Sequence, residues 1–176
     1  TNDIVVAVGW QFWDGLTAVA PEMPETKFIF VDNGLDGVGD NLLSIVYAEN
    51  QGSFLAGYIA MKLSENNTVG VIGGENSDTI NNFVVGYKQG ALYANPEGKV
   101  LDPIYTDDYE APDKGKEAAL SLYSQGADVV YQVAGKTGLG VFEAAAEQGK
   151  YAIGVDSDQK YVNPEVIVTS MMKNVG

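Results

Sequence analysis

The chain contains no cysteine and no histidine in its 176 residues. Without cysteine it has no disulfide framework, no zinc–thiolate site and no thiol nucleophile. Without histidine it lacks the usual general base, the Ser–His–Asp arrangement and the commonest metal ligand. Any catalysis would have to rest on carboxylates, lysine or tyrosine. Basic residues are scarce too: 10 Lys and Arg stand against 24 Asp and Glu, a formal net charge of −14. Nucleic acids and anionic membrane surfaces select basic patches, so this balance speaks against both as partners. No apolar run approaches the length of a membrane span.

What is present is a steady alternation of apolar runs and amphipathic segments, with 45% hydrophobic residues to build a core. Predicted strands are 4–9, 27–32, 42–47, 68–74, 99–105, 128–134, 151–156 and 166–172. They are rich in Val and Ile and apolar on both faces, as in parallel strands covered by helices on both sides. Predicted helices are 51–63, 80–94, 113–126 and 139–149. The first gathers Phe54, Leu55, Tyr58, Ile59 and Leu63 on one face, and the second Phe83, Tyr87 and Ala91. The last two end on Gly126 and Gly149, the usual helix stop. This rhythm predicts an α/β fold, an open parallel sheet flanked by helices, with ligands at the carboxyl ends of the strands.

The stretch AGKTGLGVFEAA (134–145) looks like a nucleotide motif and fails as one. A phosphate loop needs a glycine five residues before its Gly-Lys, and that position is Val130, inside the preceding strand. The dinucleotide pattern needs a third glycine where Glu143 stands, and a carboxylate there would repel phosphate. A strand, a glycine turn and a helix start remain. Comparable polar or glycine-bearing strand ends occur at 73–76, 106–109, 135–138 and 156–158, and the fold predicts that they converge. Asp156, Ser157 and Asp158 also suggest a calcium loop, but the required glycine and distal glutamate are missing. No metal site, cofactor site or paired-carboxylate catalytic constellation is read from the sequence. A phosphorolytic or hydrolytic site would have only Asp156 or Glu75 to use.

The runs AENQGSFLAGYIA (48–60), GGENSDTINNFVVGYKQGA (73–91), DKGKEAA (113–119), GADVVYQVAGKTGLGVFEAA (126–145), IGVDSDQ (153–159) and TSMMK (169–173) resemble the BMP family. These are the basic membrane lipoproteins, or PnrA-like solute-binding proteins of ABC transporters. The similarity runs along essentially the whole chain. It implies a two-lobed type I periplasmic-binding fold that captures purine or pyrimidine nucleosides between its lobes and delivers them to an ABC permease. No bond is made or broken in that process, so no enzyme activity is expected. The protein is expected to act as a monomer, outside the cytoplasm, periplasmic or lipid-anchored to the cell membrane in its full-length form.

The resemblance also implies that residues 1–45 belong to one lobe and 46–168 to a second, nearly complete lobe. Residues 169–176 would be a crossover back to the first. The family's opening strand and helix and its last helices would lie outside this chain, which looks truncated. Asp156 matches the carboxylate that accepts from ribose hydroxyls, a task suited to its two oxygens; read by itself, it equally starts a turn. Lys173 matches a donor beside the sugar and a partner for Asp156, or is an exposed lysine at a strand end. Tyr109 stands where the family usually has a base-stacking Phe, and a flat aromatic offers a heterocycle a large apolar face. Gly135 allows close backbone approach to a ligand or simply makes a tight turn. Trp10 and Phe12 are open to base stacking or to lobe packing. Glu49 is a further ligand candidate at the first crossover, or a carboxylate favouring the start of a helix. A regulatory, ligand-sensing protein of the same fold is the alternative reading.

Overall fold

The computed structural model describes residues 2–174. The chain divides into two compact units, 1–48 and 49–176.

In the first unit β1 (Ile4–Val8), β2 (Lys27–Val31) and β3 (Leu42–Ile45) form a parallel sheet in that order. Helix α1 (Trp13–Glu22) follows a short 3-10 turn at Trp10–Phe12. Leu16 and Ala20 of α1 are buried in one cluster with Ala7, Phe28 and Phe30 of the sheet. Helix α1 is not anticipated by the sequence pattern, because Gly15 and Pro21 interrupt it. The expectation that these strands are covered on both faces is also corrected. Burial alternates along β1, and Ile4, Val6 and Val8 are exposed while Ala7 is buried.

The second unit is built on six parallel strands: β4 (Thr68–Gly73), β5 (Lys99–Val100), β6 (Ile104–Tyr105), β7 (Val129–Val133), β8 (Tyr151–Asp156) and β9 (Ile167–Met172). Their order is β5-β4-β7-β8-β9, with β6 also pairing to β4. The run expected as one strand over 99–105 is broken into two, with Pro103, which has no N–H to donate, in the gap. Residues 169–172, expected in the crossover, are held in this sheet: Thr169 pairs with Ile153 and Met172 with Asp156.

Side-chain alternation splits the core in two. Val69, Val71, Tyr131, Val133, Ile153 and Val155 pack under α2 (Glu49–Leu63) and α3 (Asp78–Ala94). Ile72, Val130, Ala134 and Ala152 pack under α4 (Pro112–Ser124) and α5 (Gly138–Gln148). These strands are therefore apolar on both faces, as parallel strands must be when helices cover both sides.

Helix pairs on this sheet meet at glycines. A Cβ at Gly57 would strike the Tyr87 carbonyl, one at Gly86 that of Asn50, and one at Gly90 that of Phe54. The backbones of α2 and α3 thus touch, and α2 turns its small residues Ser53, Ala56, Gly57 and Ala60 inward. The large apolar residues that share one face lie on the outer side, with Leu55 63% exposed, Tyr58, Ile59 and Leu63 exposed beside it and Phe54 half-buried. Gly115 and Gly140 serve α4 and α5 in the same way, against the carbonyls of Thr137 and Pro112.

At the amino end of the sheet, buried Asp128 gathers four donors: the Ser64 hydroxyl at 2.8 Å, the Asn66 backbone N–H at 2.6 Å, the Asn66 amide at 3.0 Å and Lys150 Nζ at 2.6 Å. Burial pushes its pKa up, but the hydrogen bonds from Lys150, Asn66 and Ser64 outweigh it, and the net shift is below the ordinary 3.8. A carboxylate depressed in the folded state stabilises the fold fully above its unfolded pKa and loses that contribution as pH falls through the folded one. Asp128→Asn is expected to cost about 1–2 kcal/mol at pH 7. In urea unfolding curves the gap to the wild type should close as pH drops below about 4. A gap unchanged down to pH 3 would contradict this role.

Candidate ligand site at the carboxyl ends of the second sheet

Strand β8 ends on Asp156, whose φ of 66° lies in the left-handed region that side chains other than glycine seldom enter. The Ser157 N–H bonds the Val155 carbonyl at 2.8 Å, closing a three-residue turn centred on Asp156. This conformation swings the carboxylate outward, and Asp156 is 57% exposed. Strained backbone of this kind concentrates at functional sites.

Lys173 follows β9, the neighbouring strand. Its backbone N–H donates to the Asp156 carbonyl at 3.0 Å, and its ammonium stands 3.4 Å from Asp156 Oδ1. The lysine side chain is only 7% exposed and its Nζ lies 5.0 Å from the ring centre of Phe83, a cation–π contact. The pair is thus asymmetric, with a sunken cation and an outward carboxylate. An exposed Asp keeps much of its hydration, so the pair's worth lies in orienting the carboxylate more than in stabilising the fold.

Strand β7 leads into the other side of the site. Gly135, at φ 56°, starts a 3-10 turn over Gly135–Thr137 that runs directly into α5. Gly135 and Asp156 line one open concavity of about 290 Å³ with Lys136, Leu139, Val155, Ser157 and Gln159. Lys136, exposed, bonds Glu110 Oε2 at 2.6 Å.

Tyr109 reaches this corner from the loop after β6. Its carbonyl accepts from the Thr137 N–H at 3.2 Å, and the Thr137 hydroxyl donates to the Asp108 carbonyl at 3.0 Å. The Tyr109 ring lies against Gly74, where a Cβ would overlap it, and Tyr109 packs half-buried at the margin of the core. Burial, and then the charge of Glu75, pushes its hydroxyl up to about 12, so it remains a neutral phenol at physiological pH.

Four of the strand ends named from sequence therefore meet at one end of this sheet, and Asp156, Lys173, Gly135 and Tyr109 are drawn together there. Glu49 is not among the residues lining the concavity; it is the buried first residue of α2, where a carboxylate complements the helix dipole. Trp10 belongs to the first unit, in the 3-10 turn after β1, where it is 47% exposed, with Phe12 exposed beside it.

Gln132 and Gln159 belong to the site or its support, and the sequence pattern does not single them out. The signal that could have found them is a polar residue inside the apolar run DVVYQVA, and the end of the IGVDSDQ block. Among the described residues no group of three or more acidic, His or Cys side chains is placed to hold a metal, and no helix is long and apolar enough to cross a membrane.

A parallel sheet flanked by helices, with polar strand ends facing an open concavity, is the architecture of type I periplasmic solute-binding proteins. The structure superposes on an ABC transporter solute-binding protein from Aeropyrum pernix K1 with a TM-score of 0.87 and 31% identity, covering 96% of this chain and 50% of that one. It also superposes on an ABC transporter solute-binding protein from Conexibacter woesei with a TM-score of 0.65 and 26% identity, over 86% and 50% of the two chains.

Residues 1–176 match the family described as ABC transporter substrate-binding protein PnrA-like, and the chain belongs to that family. Basic membrane protein B of Borreliella burgdorferi is 37% identical over 180 residues, 99% of this chain and 52% of that protein. The CD4+ T-cell-stimulating antigen of Listeria monocytogenes is 35% identical over 164 residues, 89% and 45% of the two chains. The chain thus spans about half the length of the curated relatives it matches.

Proposed function

We propose that the protein is the solute-binding receptor of an ABC importer, that its solutes are purine or pyrimidine nucleosides, and that it hands them to a membrane permease without chemical change. The observation that carries this reading is the outward carboxylate of Asp156, backed by sunken Lys173 and facing the Gly135 corner. Two carboxylate oxygens suit the adjacent hydroxyls of a ribose, each accepting a charge-assisted hydrogen bond. The ammonium of Lys173 is a donor for a sugar oxygen. Tyr109 offers an aromatic face for the base, and its neutral hydroxyl is available as a donor.

The same surroundings argue against a nucleotide. Asp156 lines the concavity, Asp158 lies two residues on, and Glu110 neutralises Lys136, so a phosphate would meet net negative charge. Family membership supports a location outside the cytoplasm, and the reading extends to a lipid-anchored, monomeric receptor without enzyme activity in the full-length protein.

The fold by itself does not separate receptor from regulator. A transcriptional activator of the comK gene from Bacillus halodurans shares it with a TM-score of 0.83 at 24% identity, over 97% of this chain and 58% of that one. Membership of the substrate-binding family favours the receptor. Calorimetric titration of the full-length protein with inosine, guanosine, adenosine, cytidine and the free bases tests the reading. At least one nucleoside should bind with micromolar or tighter affinity, and none binding tighter than about millimolar would overturn it.

A further inference from the structure

Beneath the Asp156 turn two glutamine side chains meet. Gln132 of β7 is fully buried, and its amide Nε2 donates to Gln159 Oε1 at 2.7 Å. Its own Oε1 accepts from the Ala134 N–H at 3.1 Å. Gln159 Oε1 also accepts from the Val155 N–H at 2.9 Å, and the Gln159 backbone N–H donates to the Ser170 hydroxyl at 3.0 Å. Two backbone donors fix the polarity of this network. The Ala134 and Val155 N–H groups each need an oxygen, so Gln159 must turn its oxygen to Val155 and Gln132 must turn its NH2 to Gln159.

The two N–H groups so held belong to the residues immediately before Gly135 and Asp156, both of which are in the left-handed region. Two glycines keep the space clear. A Cβ at Gly138 would overlap the Gln132 amide, and one at Gly154 would fall 2.7 Å from Gln159 Oε1 and 2.6 Å from Ser170 Oγ. Gly138, the first glycine of the apparent dinucleotide pattern, thus makes room for a glutamine.

We propose that Gln132 and Gln159 are positioning residues of the ligand site: their amide clip ties the end of β7 to the end of β8 and sets the span between Gly135 and the Asp156 carboxylate. The inference rests on the nucleoside-site reading for its consequence in binding, and on the hydrogen-bond geometry alone for the clip. Swapping each amide for a carboxylate separates the clip from mere space filling. Glu at 159 still offers oxygens to both the Val155 N–H and the Gln132 NH2. Glu at 132 sets a carboxylate oxygen against Gln159 Oε1, where two acceptors face each other without a proton.

In the full-length protein, Gln159→Leu and Gln132→Glu are expected to weaken binding in the four-nucleoside titration by about tenfold or more, whereas Gln159→Glu stays within about threefold of wild type. Amide hydrogen exchange of the ligand-free proteins should quicken at Ala134 in Gln132→Glu, at Val155 in Gln159→Leu, and at neither in Gln159→Glu. Unchanged affinity in Gln159→Leu, or equal losses in the two position-159 variants, would overturn the proposal. If the wild type binds no nucleoside, the receptor reading falls and the exchange pattern decides the clip: quickening at those amides supports it, and unchanged rates refute it.

Discussion

Replacing Asp156 with alanine is expected to weaken nucleoside binding by about a hundredfold while leaving free-base binding within about threefold of wild type. The carboxylate has two oxygens for a diol, and a hydrogen bond to a charged group is worth about 1.5–3 kcal/mol. A hundredfold loss corresponds to about 2.7 kcal/mol, a little less than the roughly 3 kcal/mol that two such bonds contribute at the low end of that range. Asp156→Asn keeps one acceptor oxygen and should fall between. A free base has no ribose and so nothing to lose. Stability is read separately in urea unfolding, because alanine tolerates a φ of 66° less well than aspartate and the sunken Lys173 loses its carboxylate partner. Equal losses for nucleosides and bases would remove the ribose role of Asp156 and leave it as a turn residue.

The largest effect on stability is expected where two helices touch. The double variant Gly86→Ala/Gly90→Ala puts two methyl groups onto the carbonyls of Asn50 and Phe54. These are backbone atoms of α2 and cannot swing aside as a side-chain end would. Overpacking costs about 1–3 kcal/mol per site and sometimes more, and here α2 and α3 must be pushed apart along their shared seam. The double variant is expected to lose about 4–6 kcal/mol in urea unfolding, a large share of the stability of an ordinary domain. Gly52→Ala is the control. It adds the same methyl to α2 but meets only the flexible side chain of Met171, and alanine is the better helix former. If the two variants unfold alike, the glycine seam is not what brings these helices together.

These sites show which parts of the molecule are legible in the sequence. Runs such as TVGVIGG and YAIGVD identify parallel strands because both faces are apolar, and the polar residues that follow them mark the carboxyl ends where a site belongs. Asp156, Lys173, Gly135 and Tyr109 stand at those strand ends, where family resemblance singles them out, and they meet at one end of one sheet. Helix α2 misleads for a physical reason. Its large apolar residues suggest the buried face, yet backbone contact with α3 demands small residues there, and periodicity cannot tell small from buried. The glutamine clip is hidden differently. Gln132 and Gln159 lie 27 positions apart, and only the pairing of β7 with β8 brings them together. Helix α1 carries Gly15 and Pro21, which mask a helical pattern.

The arrangement of strands in the second sheet also fixes an order of events during synthesis. Strand β4 is made long before its neighbour β7, and among the described strands of this sheet β9 is made after all the others. Among the described residues of this sheet every pairing is parallel, so each waits for a crossover connection, the slow route to a sheet. Lys173 arrives at the very end of that series. The nascent protein therefore carries Asp156 without its lysine until β9 docks beside β8, and the Asp156–Lys173 pair forms only at that step.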